Sequence, residues 1–109
     1  MAKMTPGTME LVAERFRILG EPMRLRLLDS LRRGEERSVS DLVELTGAGQ
    51  ANVSKHLQIL LSAGFVDRRK DGTTSLYRLA DPSVFELCDL VCGGVEAGLE
   101  RQRRALRGR

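Results

Sequence analysis

The sequence predicts a mainly α-helical domain carrying one small β-hairpin, and three observations predict it. Leu and Val recur at intervals of three and four residues through most of the 109-residue chain, the period that lines one face of a helix. One stretch departs from that period: Phe65 to Lys70 and Thr73 to Leu79 read as strands flanking Asp71-Gly72, a strong short hairpin signal. The helical segments are separated by Gly- or Pro-bearing breaks of a few residues, which suits short helices folded back on one another.

Taken in order, residues 1–8 read as a loose leader, with Lys3, Pro6 and Gly7 and little apolar content. In the first helix Leu11, Val12, Phe16 and Leu19 carry the apolar period, while Glu14, Arg15 and Arg17 fall to water. Gly20-Glu21-Pro22 ends it, and Pro22 suits the first position of the next helix because its missing N–H would be unpaired there anyway. That second helix runs through Leu25, Leu28 and Leu31 to Gly34, and its Arg24, Arg26, Arg32 and Arg33 read as a solvated face. Ser38 or Ser40 then caps a short helix from about Asp41 to Thr46. After the break at Gly47-Ala48-Gly49, a helix from about Gln50 to Ala63 turns Val53, Leu57 and Leu60 inward and stops at Gly64. Beyond the hairpin, Asp81-Pro82 opens a long terminal helix on which Val84, Cys88, Val91, Val95 and Leu99, spaced 4, 3, 4 and 4, make one apolar stripe. The folded domain is thus expected over residues 9–104, with a helix-turn-helix at 40–63, a wing at 65–79, a terminal helix at 82–104 and a basic tail at 105–109.

A chain of this length suits one domain with a modest core, and three Phe, one Tyr and no Trp make that core aliphatic. No apolar run approaches the roughly 20 residues needed to cross a bilayer, and the start of the chain lacks the hydrophobic segment of a secretion signal. The expectation is a cytoplasmic protein without a membrane partner, its two Cys reduced. The net charge of +3 is less telling than its distribution. Residues 101–109 hold five Arg and no acid, leaving 13 basic against 15 acidic groups in the first 100. Between Gln50 and Arg78, five bases face only Asp67 and Asp71. Such local positive fields attract phosphate even on a nearly neutral chain.

Two short helices joined by a tight Gly-bearing turn and followed by a basic hairpin form the winged helix-turn-helix arrangement, whose second helix lies in the DNA major groove. The first turns of that helix offer Gln50, Asn52, Ser54 and Lys55, side chains that pair with base edges or phosphates, and no acid that phosphate would repel. Arg68, Arg69 and Lys70 stand beside the hairpin turn, placed to reach the DNA backbone or minor groove. His56 sits at the edge of the apolar stripe. Its ring body is expected to be partly buried and bonded to a backbone carbonyl, its polar tip within reach of a phosphate. Catalysis finds no support in a chain with no Gly-rich phosphate loop, no metal motif and its single His on a different helix from both Cys. A winged-helix module that binds an acidic protein, or a DNA-binding protein without an effector, are the competing readings.

Further resemblance lies in ordered motifs. Leu19-Gly20-Glu21-Pro22-Met23-Arg24-Leu25-Arg26-Leu27-Leu28 resembles the L-x-x-P-x-R-L-x-I-L opening of the ArsR/SmtB family of bacterial winged-helix repressors. Ser54, His56, Leu57 and Leu60 followed by Ala63-Gly64-Phe65-Val66 resemble that family's S-x-H-L-x-x-L-x-x-A-G-L-V signature, and Tyr77-Arg78-Leu79 resembles the end of its second wing strand. The resemblance implies a homodimer, joined through its first and last helices, that binds a palindromic operator in double-stranded DNA and represses transcription until an effector weakens the complex. It also places Gln50, Asn52, Ser54, Lys55 and His56 on the recognition helix, and Arg68, Arg69 and Lys70 on the wing. The apolar side of the terminal helix independently asks for a partner surface, which the first and last helices of a second subunit would supply.

Metal sites of the family fit this chain poorly. One places Cys on the first helix of the helix-turn-helix, and Asp41 to Thr46 contains none. Another uses Asp and His of the last helix, which here has no His. Cys88 and Cys92 remain, stacked at i, i+4 on one side of the terminal helix. Their thiolates suit a soft metal ion or arsenite, and also redox or persulfide sensing. Equally, Cys88 is a small apolar filler and Cys92 its neighbour. Gly93, Gly94 and Gly98 either allow close helix approach or mark a kink.

Overall fold

The computed structural model describes residues 4–108. Along the chain run α1 (Pro6–Leu19), α2 (Pro22–Ser30), β1 (Arg37–Ser38), α3 (Val39–Thr46), α4 (Gln50–Ser62), β2 (Val66–Asp71), β3 (Thr74–Leu79) and α5 (Val84–Arg107). The fold is the mainly helical one expected, with a winged helix-turn-helix formed by α3, α4 and the β2–β3 hairpin.

Local chemistry sets the helix boundaries, and it moves several of them. Thr5 caps α1, its hydroxyl accepting the Thr8 N–H at 3.2 Å, and Pro6 takes the first helical position. Residues 6–8, expected in a leader, are therefore helical: a good cap outweighs a scarcity of apolar side chains. Residues 1–3 of that leader lie outside the described residues. At α2, Glu21 accepts the Arg24 N–H at 2.9 Å ahead of Pro22. Ser38, not Ser40, caps α3 in a reciprocal box with Asp41, at 3.1 and 2.9 Å, so this helix begins at Val39. These bonds to Ser38 hold the Asp41 carboxyl below its usual range. Gly47 closes α3 in the left-handed region at φ +73°, its N–H bonded to Val43 O at 2.9 Å. That conformation lets the chain reverse into α4 across Gly47, Ala48 and Gly49.

The sheet has three antiparallel strands in the order β1-β3-β2. Sequence reading missed β1, because two residues are too few to show a period of two. Arg37 and Ser38 pair with Tyr77 and Leu76, making β3 the central strand. The pairing Asp71↔Thr74 puts Gly72-Thr73 in the hairpin loop, one residue beyond the expected Asp71-Gly72. Gly72 alone of the two has a positive φ, +64°, the pattern of a II′ turn with Gly first. Phe65, read as a strand residue, instead belongs to the core.

That core joins Leu27, Leu28 and Leu31 to Leu42 of α3, Val53, Leu57 and Leu60 of α4, and Phe65, Val66 and Tyr77 at the wing base. Leu25, expected on the inner face of α2, lies outside it. Burial of each Leu contributes about 1.5–3 kcal/mol, so the helix-turn-helix and the foot of the wing form one packed unit.

Val84 is the one buried residue of α5, with Phe85, Leu87 and Cys88 half-buried against the core. The helix begins two residues after Pro82, since Asp81 accepts the Ser83 N–H at 3.1 Å and holds a preceding turn. It continues to Arg107, so residues 105–107 of the expected tail are helical and Gly108 ends it; residue 109 is outside the described range. None of the described helices is long and apolar enough to cross a membrane.

Candidate nucleic-acid interface

α4 buries Val53, His56, Leu57 and Leu60. By helical geometry that turns Gln50, Ala51, Asn52, Ser54, Lys55 and Gln58 outward, and all six are exposed. The face carries amide, hydroxyl and ammonium groups with no acid among them. The positive end of the helix dipole adds to it at Gln50.

His56 is only 8% exposed. Its Nδ1 lies 3.2 Å from a guanidinium nitrogen of Arg24 and 3.9 Å from Glu21 Oε2. A guanidinium can only donate, so Nδ1 is the acceptor in this contact. The expected backbone carbonyl is therefore replaced by a side chain: His56 holds the recognition helix to the start of α2. Arg24 also donates from Nε to Ile18 O at 2.6 Å, bringing the end of α1 into the same knot.

Two further arginines of this face are exposed as expected and make tertiary bonds as well. Arg26 donates to Thr46 O, the last carbonyl of α3, at 2.9 Å. Arg32, just beyond α2, bonds Asp89 of α5 at 2.9 Å and lies 4.2 Å from the centroid of the Phe85 ring. Its guanidinium holds the Asp89 carboxyl below the usual carboxylate range. A signal was present in the sequence: Arg24 and Arg26 stand two apart, and such residues do not share a helix face. Arg15 of α1 makes a comparable tie, donating to Ala63 O at 3.3 Å and lying 4.9 Å from the centroid of the Phe65 ring, where α4 meets the wing.

Strand β2 divides its three bases. Strand alternation places Arg68 and Lys70 on one face, opposite Tyr77 and Ser75, and Arg69 on the other, opposite Leu76. Arg69 is held by two bonds to the Glu36 carboxylate, one of them at 2.8 Å. That contact, 33 residues apart in sequence, left no local signal.

Cys88 is half-buried and Cys92 exposed. With Phe16, Leu19, Leu25 and Val91 they line an apolar recess of about 340 Å³ among α1, the start of α2 and α5. Cys92 Sγ lies 3.6 Å from Glu96 Oε1, and the Glu96 charge pushes the thiol pKa up, away from the thiolate that soft ions bind. Within one chain, no group of three or more His, Cys, Asp or Glu among the described residues is placed to hold a metal ion.

A helix-turn-helix whose second helix exposes an acid-free polar face, with a cationic hairpin beside it, defines a winged helix-turn-helix protein of the DNA-binding class. The family model for bacterial regulatory proteins of the arsR family matches residues 21–68, from the cap of α2 into β2. The HTH-type transcriptional regulator KmtR of Mycobacterium tuberculosis is 41% identical over 101 residues, which cover 90% of this chain and 77% of that protein. A probable mercury resistance operon repressor of Streptomyces lividans is 43% identical over 72 residues, 66% of this chain and 57% of the length of that relative. Among solved structures, the homodimeric winged helix-turn-helix DNA-binding domain of a possible ArsR-family regulator from Mycobacterium bovis superposes with a TM-score of 0.72 at 33% identity, covering 88% of this chain and 91% of the other. The chain belongs to the ArsR family of transcriptional regulators.

Proposed function

We propose that this regulator is a homodimeric repressor that binds a palindromic operator with α4 and the wing of each subunit, in the cytoplasm where such DNA lies. The observation that carries the reading is the exposed face of Gln50, Asn52, Ser54 and Lys55 with Arg68 and Lys70 beside it. Gln50 and Asn52 suit adenine edges, which present one acceptor and one donor to an amide. Ser54 and Lys55 suit phosphates, as do the two wing bases. His56, with its ring inside, serves by holding α4 in place. Leu11 and Phe16 of α1 and Leu90, Val91, Val95 and Leu99 of α5 are exposed apolar groups that support pairing through these helices, as does the homodimeric Mycobacterium bovis domain.

Selection of bound duplexes from a random pool tests the reading. It expects an inverted repeat whose complex survives competitor DNA; recovery of no preferred sequence would leave a module that meets an acidic protein instead.

Effector sensing belongs to the same proposal. The recess bearing Cys88 and Cys92 is lined in part by the two helices that would form the interface, so a group bound there would act on subunit geometry. A soft metal ion or arsenite is the class that thiols suit. Because no group of three or more His, Cys, Asp or Glu among the described residues of one chain could hold a metal ion, such a site would need the partner's sulfurs as well. The double variant C88S/C92S is expected to stay on DNA under arsenite or soft-metal challenge that releases the parent; release of both alike would reduce the two Cys to packing.

A further inference from the structure

We propose that Arg69 is a positioning residue of the wing, held on Glu36 in the free and the DNA-bound protein alike, and that the wing meets DNA with Arg68 and Lys70. The proposal rests on the reading of α4 and the wing as the DNA-binding surface.

The sheet itself supplies the argument. β2 is an edge strand held through β3 alone, and β1 is the opposite edge. Arg69 pairs with Leu76, whose other neighbour across β3 is Ser38. To reach Glu36, next to β1, the Arg69 side chain therefore spans the width of the sheet. There it meets both carboxylate oxygens in the fork arrangement that fixes direction as well as distance. Glu36 stands two residues before Ser38, the cap of α3. The bond thus ties the wing strand to the entry of the helix-turn-helix and holds the Arg69 side chain along the sheet.

Charge favours keeping the tie. The Arg69 guanidinium holds the Glu36 carboxyl below its usual range, so the carboxylate is ionised at neutral pH and the pair is neutral as a unit. Were a phosphate to take Arg69, the Glu36 carboxylate would lose its bonded guanidinium and keep only the unbonded charge of Arg78. Arg68 and Lys70 leave the opposite face of the strand and face no such exchange.

The test is the salt dependence of binding to a duplex recovered from the random pool by the unaltered protein. Each phosphate contact contributes about 0.9 to the slope of log affinity against log salt. R68A and K70A are expected to lower the slope by about that amount each. R69A and E36A are expected to keep the slope and weaken binding about threefold, the size of an exposed pair's coupling. The double variant E36A/R69A should be no weaker than either single, and the charge swap E36R/R69E should recover affinity to within about twofold of the parent, since it keeps the pair and the net charge. A slope lowered by R69A, tighter binding by E36A, or a swap weaker than R69A would each overturn the proposal. A second measurement needs no DNA: the Arg69 Nε–H resonance of the free protein should move in E36A, and an unmoved resonance would also overturn it. A pool that yields no duplex would instead strike at the DNA-binding reading and leave the resonance to decide the tie.

Discussion

His56 illustrates how a small aliphatic core accommodates a polar group. Its ring is surrounded by packed side chains, and the one strong donor offered to Nδ1 is Arg24, itself fixed by Ile18 O. Arg24→Ala should leave that nitrogen without its donor and release the α1–α2 corner, lowering stability in urea by about 1–3 kcal/mol; a change below a few tenths would show that water replaces the guanidinium. The Arg32–Asp89 pair makes a different prediction, in pH. Asp89 is held below its ordinary value by Arg32, so its contribution is fully present above the unfolded-state pKa of about 3.9 and is lost as pH falls through the lower folded value. Thermal melting of D89N against the parent should therefore show a deficit at neutral pH that closes toward strong acid. A deficit constant with pH would assign the loss to packing. Outward residues such as Gln50 and Lys55 were legible from helical angle alone. The destinations of Arg24, Arg26 and Arg32 were not, because a long side chain ends wherever the tertiary fold brings a carbonyl or carboxylate.

Elements were legible in proportion to their length. An apolar period of more than two turns announces α1 and one of more than four announces α5, and a Gly-bearing break announces the turn between α3 and α4. Boundaries moved where a single cap decided them, at Thr5 and Ser38. The hairpin loop moved by one residue because register is set by the whole pairing of β2 on β3, with Tyr77 and Val66 both turned to the core. The dipeptide Asp71-Gly72 alone does not set it. At Gly47 the turn depends on a left-handed backbone, φ +73°, with open space where a Cβ would stand. Gly47→Ala should thus lower stability by about 1–2 kcal/mol through backbone strain alone, read from chemical denaturation. An unchanged midpoint would mean that the turn relaxes without strain.

At the scale of the molecule, the described chain leaves one side of itself unfinished. Leu90 is 75% exposed and Val95 58%, on a helix whose first turns alone reach the core. The stripe was visible in the sequence as an apolar period too long for its own core to cover. The stripe itself asks for a partner surface, and the family resemblance implies the same answer, a second copy of the chain. Pairing through α1 and α5 would carry two copies of α4 to one face, and a two-fold dimer of this kind reads half-sites about 34–36 Å, or 10–10.5 base pairs, apart. A hydroxyl-radical footprint of a selected duplex, run with the parent and with V95E, measures this directly. The parent should protect two zones about one helical turn apart, and V95E, folded but monomeric by sedimentation, should lose both together. A single protected zone from the parent, or two unchanged zones from a monomeric V95E, would contradict the account.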